Sequence, residues 1–208
     1  MGRLLFLLFL TALGTATYLF AGKENQSVFS YLVEDYLENT DANGLLLGSS
    51  TLANIHEQYL PSCINWSNRA VGNSKISHTT RYITFAPRNK NVSRIVLYVG
   101  ENDIAYGISA EETYLAFSAL IGRITEKYPR ADIFAILIKP SPARADHFEA
   151  FNDFNSRVAR MATEVPSLSI LNIMTNTRDT RLFGSDGIHL NVRGYLKLHF
   201  ELNKVCYD

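Results

Sequence analysis

Four short clusters in this chain carry side chains suited to acyl transfer: Gly48-Ser49-Ser50, Asn68-Arg69-Ala70-Val71-Gly72, Gly100-Glu101-Asn102-Asp103 and Asp186-Gly187-Ile188-His189. A serine hydroxyl becomes a nucleophile when a histidine takes its proton. A carboxylate that accepts the other ring N–H fixes the tautomer and stabilises the imidazolium. Ser50, His189 and Asp186 are candidates for these three roles. The oxyanion that forms at an attacked carbonyl needs donors aimed in advance, and the backbone N–H groups of Ser50 and Gly72 with the Asn102 amide are candidates for it.

Each cluster alone has a plainer reading. Ser49 or Ser50 would cap a helix, Gly72 would serve a turn, and Asn102-Asp103 would be a turn or cap in which Asp103 holds the loop rather than performing chemistry. Ser74 is a candidate cap for the helix after the second cluster. Asp186-x-x-His189 is the most specific pattern. Three residues apart on a loop entering a helix, the two side chains fold to one side, so Asp186 takes the Nδ1–H and Nε2 faces Ser50. The GxSxG elbow of other α/β hydrolases is absent.

These residues can act together only if the elements between them converge. Apolar runs at 44–47, 63–66, 95–99, 133–138 and 168–173 suit strands buried on both faces. Helical patterns at 51–60, 74–85, 110–128, 146–163 and 191–205 alternate with them, which predicts an α/β domain with a five-stranded parallel sheet in three α/β/α layers. Ser50 then follows the first strand, Gly72 the second, Asn102 the third, and Asp186 and His189 the fifth. Ligands of open α/β sheets bind outside the carboxyl ends of the strands, so all four clusters fall on that edge.

In this order the clusters resemble the four blocks of the SGNH (GDSL-type) hydrolase family, over about residues 45–196. The resemblance implies the flavodoxin-like fold of that family and a cofactor-free acyl-enzyme mechanism on ester bonds. It also implies the roles: catalytic Ser50, Asp186 and His189, with an oxyanion hole of Ser50, Gly72 and Asn102. Leu190-Asn191-x-x-Gly194-Tyr195 continues the last block as the family does. Ser49 departs, since the family usually has Asp there, while Ser50 keeps the family's spacing from Gly48. Ile138-Lys139-Pro140-Ser141-Pro142-Ala143-Arg144 resembles a segment of one subgroup of these hydrolases. Lys139 and Arg144 would meet an anionic substrate group or, as we expect, pair with acids on the surface.

Composition bounds the rest. With 208 residues and 47% hydrophobic content, one buried core is the default. Twenty basic and twenty acidic residues cancel without a basic run, so nucleic acid is not an expected partner. Cys63 and Cys206 form no CxxC pattern and the five histidines no HExxH pair, so neither a metal nor another cofactor is expected. The expected partners are a small-molecule, lipid or glycan ester.

Arg3 precedes an uncharged apolar stretch over 4–21, short for a bilayer span and long for a signal-peptide core. Cleavage after Ala16 would start the mature chain near Tyr18-Leu19-Phe20, which favours an uncleaved membrane anchor over a signal peptide. The plan is an anchor or signal over 1–22, a connector helix within 23–43 and a hydrolase domain over 44–208. Val28, Tyr31, Leu32, Asp35 and Tyr36 mark that helix, which packs on the domain or spaces it from the membrane. Either N-terminus sends the protein out of the cytosol, anchored or secreted to the periplasm or beyond. There the two cysteines could pair; in the cytosol they would be buried thiols. The function expected is that of a serine esterase. An O-acyltransferase on an envelope glycan or lipid would use the same groups, and a non-catalytic binding module would have no reason to keep all of them.

Overall fold

The computed structural model describes residues 22–38, 40–173 and 179–207. Strands β1 (Gly44–Gly48), β3 (Arg94–Tyr98) and β4 (Asp132–Ile136) are apolar along nearly their whole length, and β2 (Trp66–Asn68) and β5 (Leu168–Leu171) lie at the edges. All neighbours are parallel, in the order β2-β1-β3-β4-β5. The expected five-stranded parallel sheet is therefore present. Its order reverses between β1 and β3, where Gly48 sits opposite Tyr98.

Strand alternation splits the core into two layers. Leu45, Leu47, Ile95, Leu97, Ile133 and Leu168 face one side. They pack there against α1 (Lys23–Leu37), α3 (Ile76–Phe85), α5 (Ala110–Lys127) and α6 (Phe148–Glu164). Leu46, Val96, Tyr98, Phe134 and Leu171 face the other, against α2 (Ser50–Ala53) and α7 (Val192–Leu202). Each such apolar side chain contributes about 1.5–3 kcal/mol by leaving water. Helix α5 shows how sequence sets an element. Ser109 accepts from the Glu112 N–H and Glu112 reaches back to the Ser109 N–H, while Thr113, Phe117, Leu120, Ile121 and Ile124 line its buried face.

The helix before the sheet packs on the domain. Val28 and Leu32 of α1 are buried in the first layer. Asp35 receives Arg69 at 2.7 Å and the Tyr82 hydroxyl at 2.6 Å, and Glu34 receives Arg69 at 2.8 Å. At the other end of α1, the Glu24 carboxylate accepts from the Asn73 amide at 2.7 Å. Helix α1 is thus fastened to the second cluster at Arg69 and, at its other end, to Asn73 just after that cluster.

Several boundaries differ from the pattern in the sequence. The helix expected at 51–60 is α2 followed by a separate 3₁₀ turn, Glu57–Tyr59, because the chain bends after Ala53 so that Tyr59 can stack on Tyr195 of α7 at 5.7 Å. The second strand lies at Trp66–Asn68 rather than 63–66. An edge strand is only partly buried and needs no apolar run. The run serves the preceding loop instead, where Cys63 pairs with Cys206 and the Trp66 indole donates to the Pro61 carbonyl at 3.0 Å. That disulfide joins positions 143 residues apart, a loop whose closure is worth about 4–5 kcal/mol in chain-entropy terms. The five-residue helix α4 (Glu101–Ala105) is too short for periodicity to announce it. Among the described residues no helix is long and apolar enough to cross a membrane, and the apolar stretch over 4–21 lies outside them.

Candidate active site

The first cluster turns sharply off β1. Gly48 has φ of 122°, and a Cβ there would lie 2.0 Å from the Tyr98 carbonyl oxygen, so only glycine fits. The Ser49 N–H instead donates to that oxygen at 2.9 Å. Ser50 is then the first residue of α2, half-buried. Neither serine caps the helix, contrary to the plainer reading: Ser49 is at the N-cap position but its side chain makes no cap bond. The Ser50 N–H is one of the N-terminal helix donors that have no intrahelical partner.

Gly48 also holds the second cluster. Its carbonyl accepts from the Val71 N–H at 2.8 Å and from the buried Ser74 hydroxyl at 2.9 Å. Ser74 is thus a tether between clusters and not the cap of α3, whose N-cap residue is Lys75. The first N–H of α3, that of Ile76, donates to both oxygens of Asp103 at 3.1 and 3.2 Å, so Asp103 holds the loop as expected. Gly72 lies in an exposed turn, and a Cβ on it would meet no atom within 4 Å. Its N–H donates to no other described residue.

In the third cluster Gly100 adopts φ of 96° at the start of α4, with Phe154 only 3.0 Å from where a Cβ would stand. The turn it permits sends Glu101, Asn102 and Asp103 inward, each at most 5% exposed. Asn102 Nδ2 donates to the Ser74 carbonyl at 2.9 Å and Oδ1 accepts from Arg144 Nη2 at 3.0 Å. An amide nitrogen carries two hydrogens, so one remains for another acceptor.

The last cluster is a tight hairpin. Phe183 bridges Leu190, the Gly184 N–H donates to the His189 carbonyl at 2.8 Å, and the Asn191 N–H donates to the Leu182 carbonyl at 3.0 Å. Within it Asp186 Oδ2 meets His189 Nδ1 at 2.5 Å, while Oδ1 accepts the N–H groups of Ile188 and His189 at 2.9 and 3.0 Å. The histidine contact and these two N–H bonds hold the Asp186 carboxyl well below the usual carboxylate range. Asn191 braces the hairpin: Oδ1 caps α7 through the Arg193 and Gly194 N–H groups, and Nδ2 donates to the Arg181 and Phe183 carbonyls. The Tyr195 hydroxyl of α7 reaches the Thr51 carbonyl at 3.2 Å, which joins this hairpin to the residue after Ser50. Ser50 Oγ and His189 Nε2 share no hydrogen bond in this structure.

The surface pairing expected of Lys139 and Arg144 is corrected by their burial. Lys139 is 1% exposed, and its ammonium lies 2.6 Å from Glu101 Oε2 and 3.0 Å from the Tyr98 hydroxyl. Glu101 Oε1 receives the Ser141 hydroxyl at 2.6 Å, with Arg144 Nη1 at 3.2 Å. Glu101 belongs to the third cluster, and its one signal in the sequence is an acid in the first turn after a strand. Among the described residues no group of three or more His, Cys, Asp or Glu could hold a metal ion.

This edge geometry agrees with what the chain is similar to. The sequence pattern of the GDSL-like Lipase/Acylhydrolase family matches residues 46–197. The chain belongs to that family. With membership comes the class of chemistry, that of a serine hydrolase acting on ester bonds. Among solved structures, a Streptococcus pneumonia protein provisionally described as a platelet activating factor is 18% identical, with a TM-score of 0.79 over 95% of this chain and 99% of that one. A GDSL-like lipase from Bacteroides thetaiotaomicron is 13% identical, with a TM-score of 0.71 over 86% and 97%. The psychrotrophic esterase EstA from Pseudoalteromonas sp., inhibited by monoethylphosphonate, is 14% identical, with a TM-score of 0.61 over 79% and 95%. At such identities the likeness is one of fold. No curated protein matches this sequence.

Proposed function

We propose that this GDSL-type hydrolase cleaves carboxylic esters through an acyl-enzyme on Ser50. His189 takes the Ser50 proton as Oγ attacks the carbonyl carbon, and Asp186 holds the ring and stabilises the imidazolium. The oxyanion sits among the Ser50 N–H, the Gly72 N–H and the second hydrogen of Asn102 Nδ2. His189 then gives its proton to the leaving alcohol, and water resolves the acyl-enzyme by the reverse route. The observation that carries this reading is the grip of Asp186 on His189, 2.5 Å side chain to side chain with two backbone N–H groups fixing the carboxylate, on the sheet edge where Ser50 begins its helix. Substitution Ser50→Ala is expected to remove hydrolysis of a short-chain aryl ester and labelling by a fluorophosphonate, with an unchanged circular dichroism spectrum. Unchanged turnover would refute the nucleophile. Absence of labelling in the unsubstituted protein would favour a binding module.

The substrate reading follows from the setting of the site. The apolar stretch over 4–21 and the paired Cys63 and Cys206 favour an exported, membrane-anchored protein, in which 1–22 anchors and the rest is the catalytic unit. Helix α1 begins at Lys23, and its Glu24 is bonded to Asn73 beside Gly72, so the anchor would enter at the catalytic edge. A lipid ester or an acylated envelope glycan fits that position. Transfer of the acyl group to a glycan or lipid alcohol would use the same groups. Product analysis with and without added sugar acceptors separates transfer from hydrolysis, and cell fractionation of the full chain tests the anchor.

A further inference from the structure

The Asn102 amide must present its nitrogen, not its oxygen, to an oxyanion. Nothing in an amide's shape prevents the reverse, since a half-turn of the terminal torsion exchanges the two atoms at little steric cost. Here the neighbours decide. The Ser74 carbonyl can only accept and stands 2.9 Å from Nδ2; the Arg144 guanidinium can only donate and stands 3.0 Å from Oδ1. A flipped Asn102 would set N–H against N–H and oxygen against oxygen. Of the two contacts, the one from Arg144 is charge-assisted.

Arg144 is held in turn. Its side chain is 15% exposed and its Nη1 lies 3.2 Å from Glu101 Oε1; that ion pair, without a hydrogen bond, is the only contact of this buried nitrogen with an acid among the described residues. Glu101 is the residue before Asn102, and Lys139 at 2.6 Å, Ser141 at 2.6 Å and Tyr98 at 2.5 Å fix both its oxygens. The same loop touches the histidine hairpin: the Ala143 N–H donates to the Gly187 carbonyl at 3.1 Å, and Ser141 Oγ lies 3.5 Å from the Ile188 carbonyl.

We infer that Arg144 is a positioning residue for ester cleavage: held by Glu101, which Lys139 fixes in turn, its guanidinium locks the Asn102 amide with Nδ2–H turned to the oxyanion. This rests on the proposed role of Asn102. The arrangement assigns the Lys139–Arg144 segment to transition-state stabilisation and not to recognition of an anionic substrate.

The test is a double-mutant cycle on aryl ester hydrolysis with Arg144→Met, which keeps the stem and removes the donor, and Asn102→Ala. Arg144→Met is expected to lower kcat about 10- to 100-fold with KM changed less than about 3-fold, a loss no larger than that of an oxyanion donor itself. In the Asn102→Ala background the same substitution should change kcat less than about 2-fold, because there is no amide left to orient. Arg144→Lys should recover part of the loss. Near-ultraviolet circular dichroism confirms that each variant keeps its packing; should Arg144→Met lose it, Arg144→Leu, which also removes the donor, replaces it in the cycle. Unchanged kcat in the single variant, an equal loss in both backgrounds, or a loss confined to KM overturns the inference. If Asn102→Ala itself leaves kcat unchanged, it is the oxyanion assignment that fails.

Discussion

The side chains of Asp186 and His189 are 47% and 42% exposed, whereas those of Glu101 and Lys139 are 3% and 0% exposed, although the two pairs close at nearly the same distance, 2.5 and 2.6 Å. Both stand on one sheet edge. The open pair is screened by water and adds little to stability, so in the proposed mechanism its value lies in the direction it gives the imidazole. The closed pair has lost its hydration, and each charge is tolerable only while the other is present. One site therefore has two kinds of charge. Those of the proposed proton relay are left accessible, and those that hold Asn102, the proposed oxyanion donor, are sealed.

That contrast breaks most sharply at Asp186. Replacing it by Asn keeps the shape and loses the charge and the correct tautomer of His189. A fall in kcat of up to about 10⁴-fold is expected, with the melting temperature within about 2 °C of the parent. A large loss of stability with modest loss of turnover would show that the hairpin, not the proton transfer, depends on the carboxylate.

Glu101 should behave the other way. Glu101→Gln leaves Lys139 buried beside Tyr98 and Arg144 without its acid, and loss of one partner of a buried pair typically costs about 3–5 kcal/mol of stability. Urea unfolding at neutral pH measures it. Turnover should fall less than in Asp186→Asn, since Arg144 keeps its own bond to Asn102. A variant as stable as the parent would mean that the cluster is not paid for by its pairing.

The two regions were not equally legible. Asp186-x-x-His189 could be read because its contact is local: three residues and a turn bring the groups together, and the type and spacing of residues contain that geometry. The parallel sheet was legible for a similar reason, since strands buried on both faces need apolar runs such as Leu45-Leu46-Leu47 and Ile95–Leu97, read at 44–47 and 95–99. The Glu101–Lys139 pair spans 38 positions, and nothing in Lys139-Pro140-Ser141 distinguishes a sealed cation from an exposed one. Burial of a charge belongs to the packed molecule. Ser74 differs from its sequence pattern for the same reason: a serine just before a helix suggests a cap, but β1 ends close enough for the Gly48 carbonyl to claim its hydroxyl.

The smallest effect separates the regions through pH. Burial drives the Glu101 carboxyl upward, but the charge of Lys139 and hydrogen bonds from Lys139, Ser141 and Tyr98 outweigh it and hold the group below the usual range. A depressed carboxyl contributes stability that is complete above the unfolded value of about 4.3 and is lost as pH falls toward the folded one. Asp186 is depressed too, but it is present in both the parent and Glu101→Gln and so cancels from their difference. Asp103, which burial pushes upward against the Ile76 N–H bonds, has the opposite sign and cancels in the same way. Burial lowers Lys139 and outweighs Glu101, which raises it. On the acid side the gap in melting temperature between parent and Glu101→Gln should therefore narrow below about pH 4. A gap that stays constant down to pH 3 would mean that folding does not depress the Glu101 carboxyl, and the closed region would then differ from the open one in exposure alone.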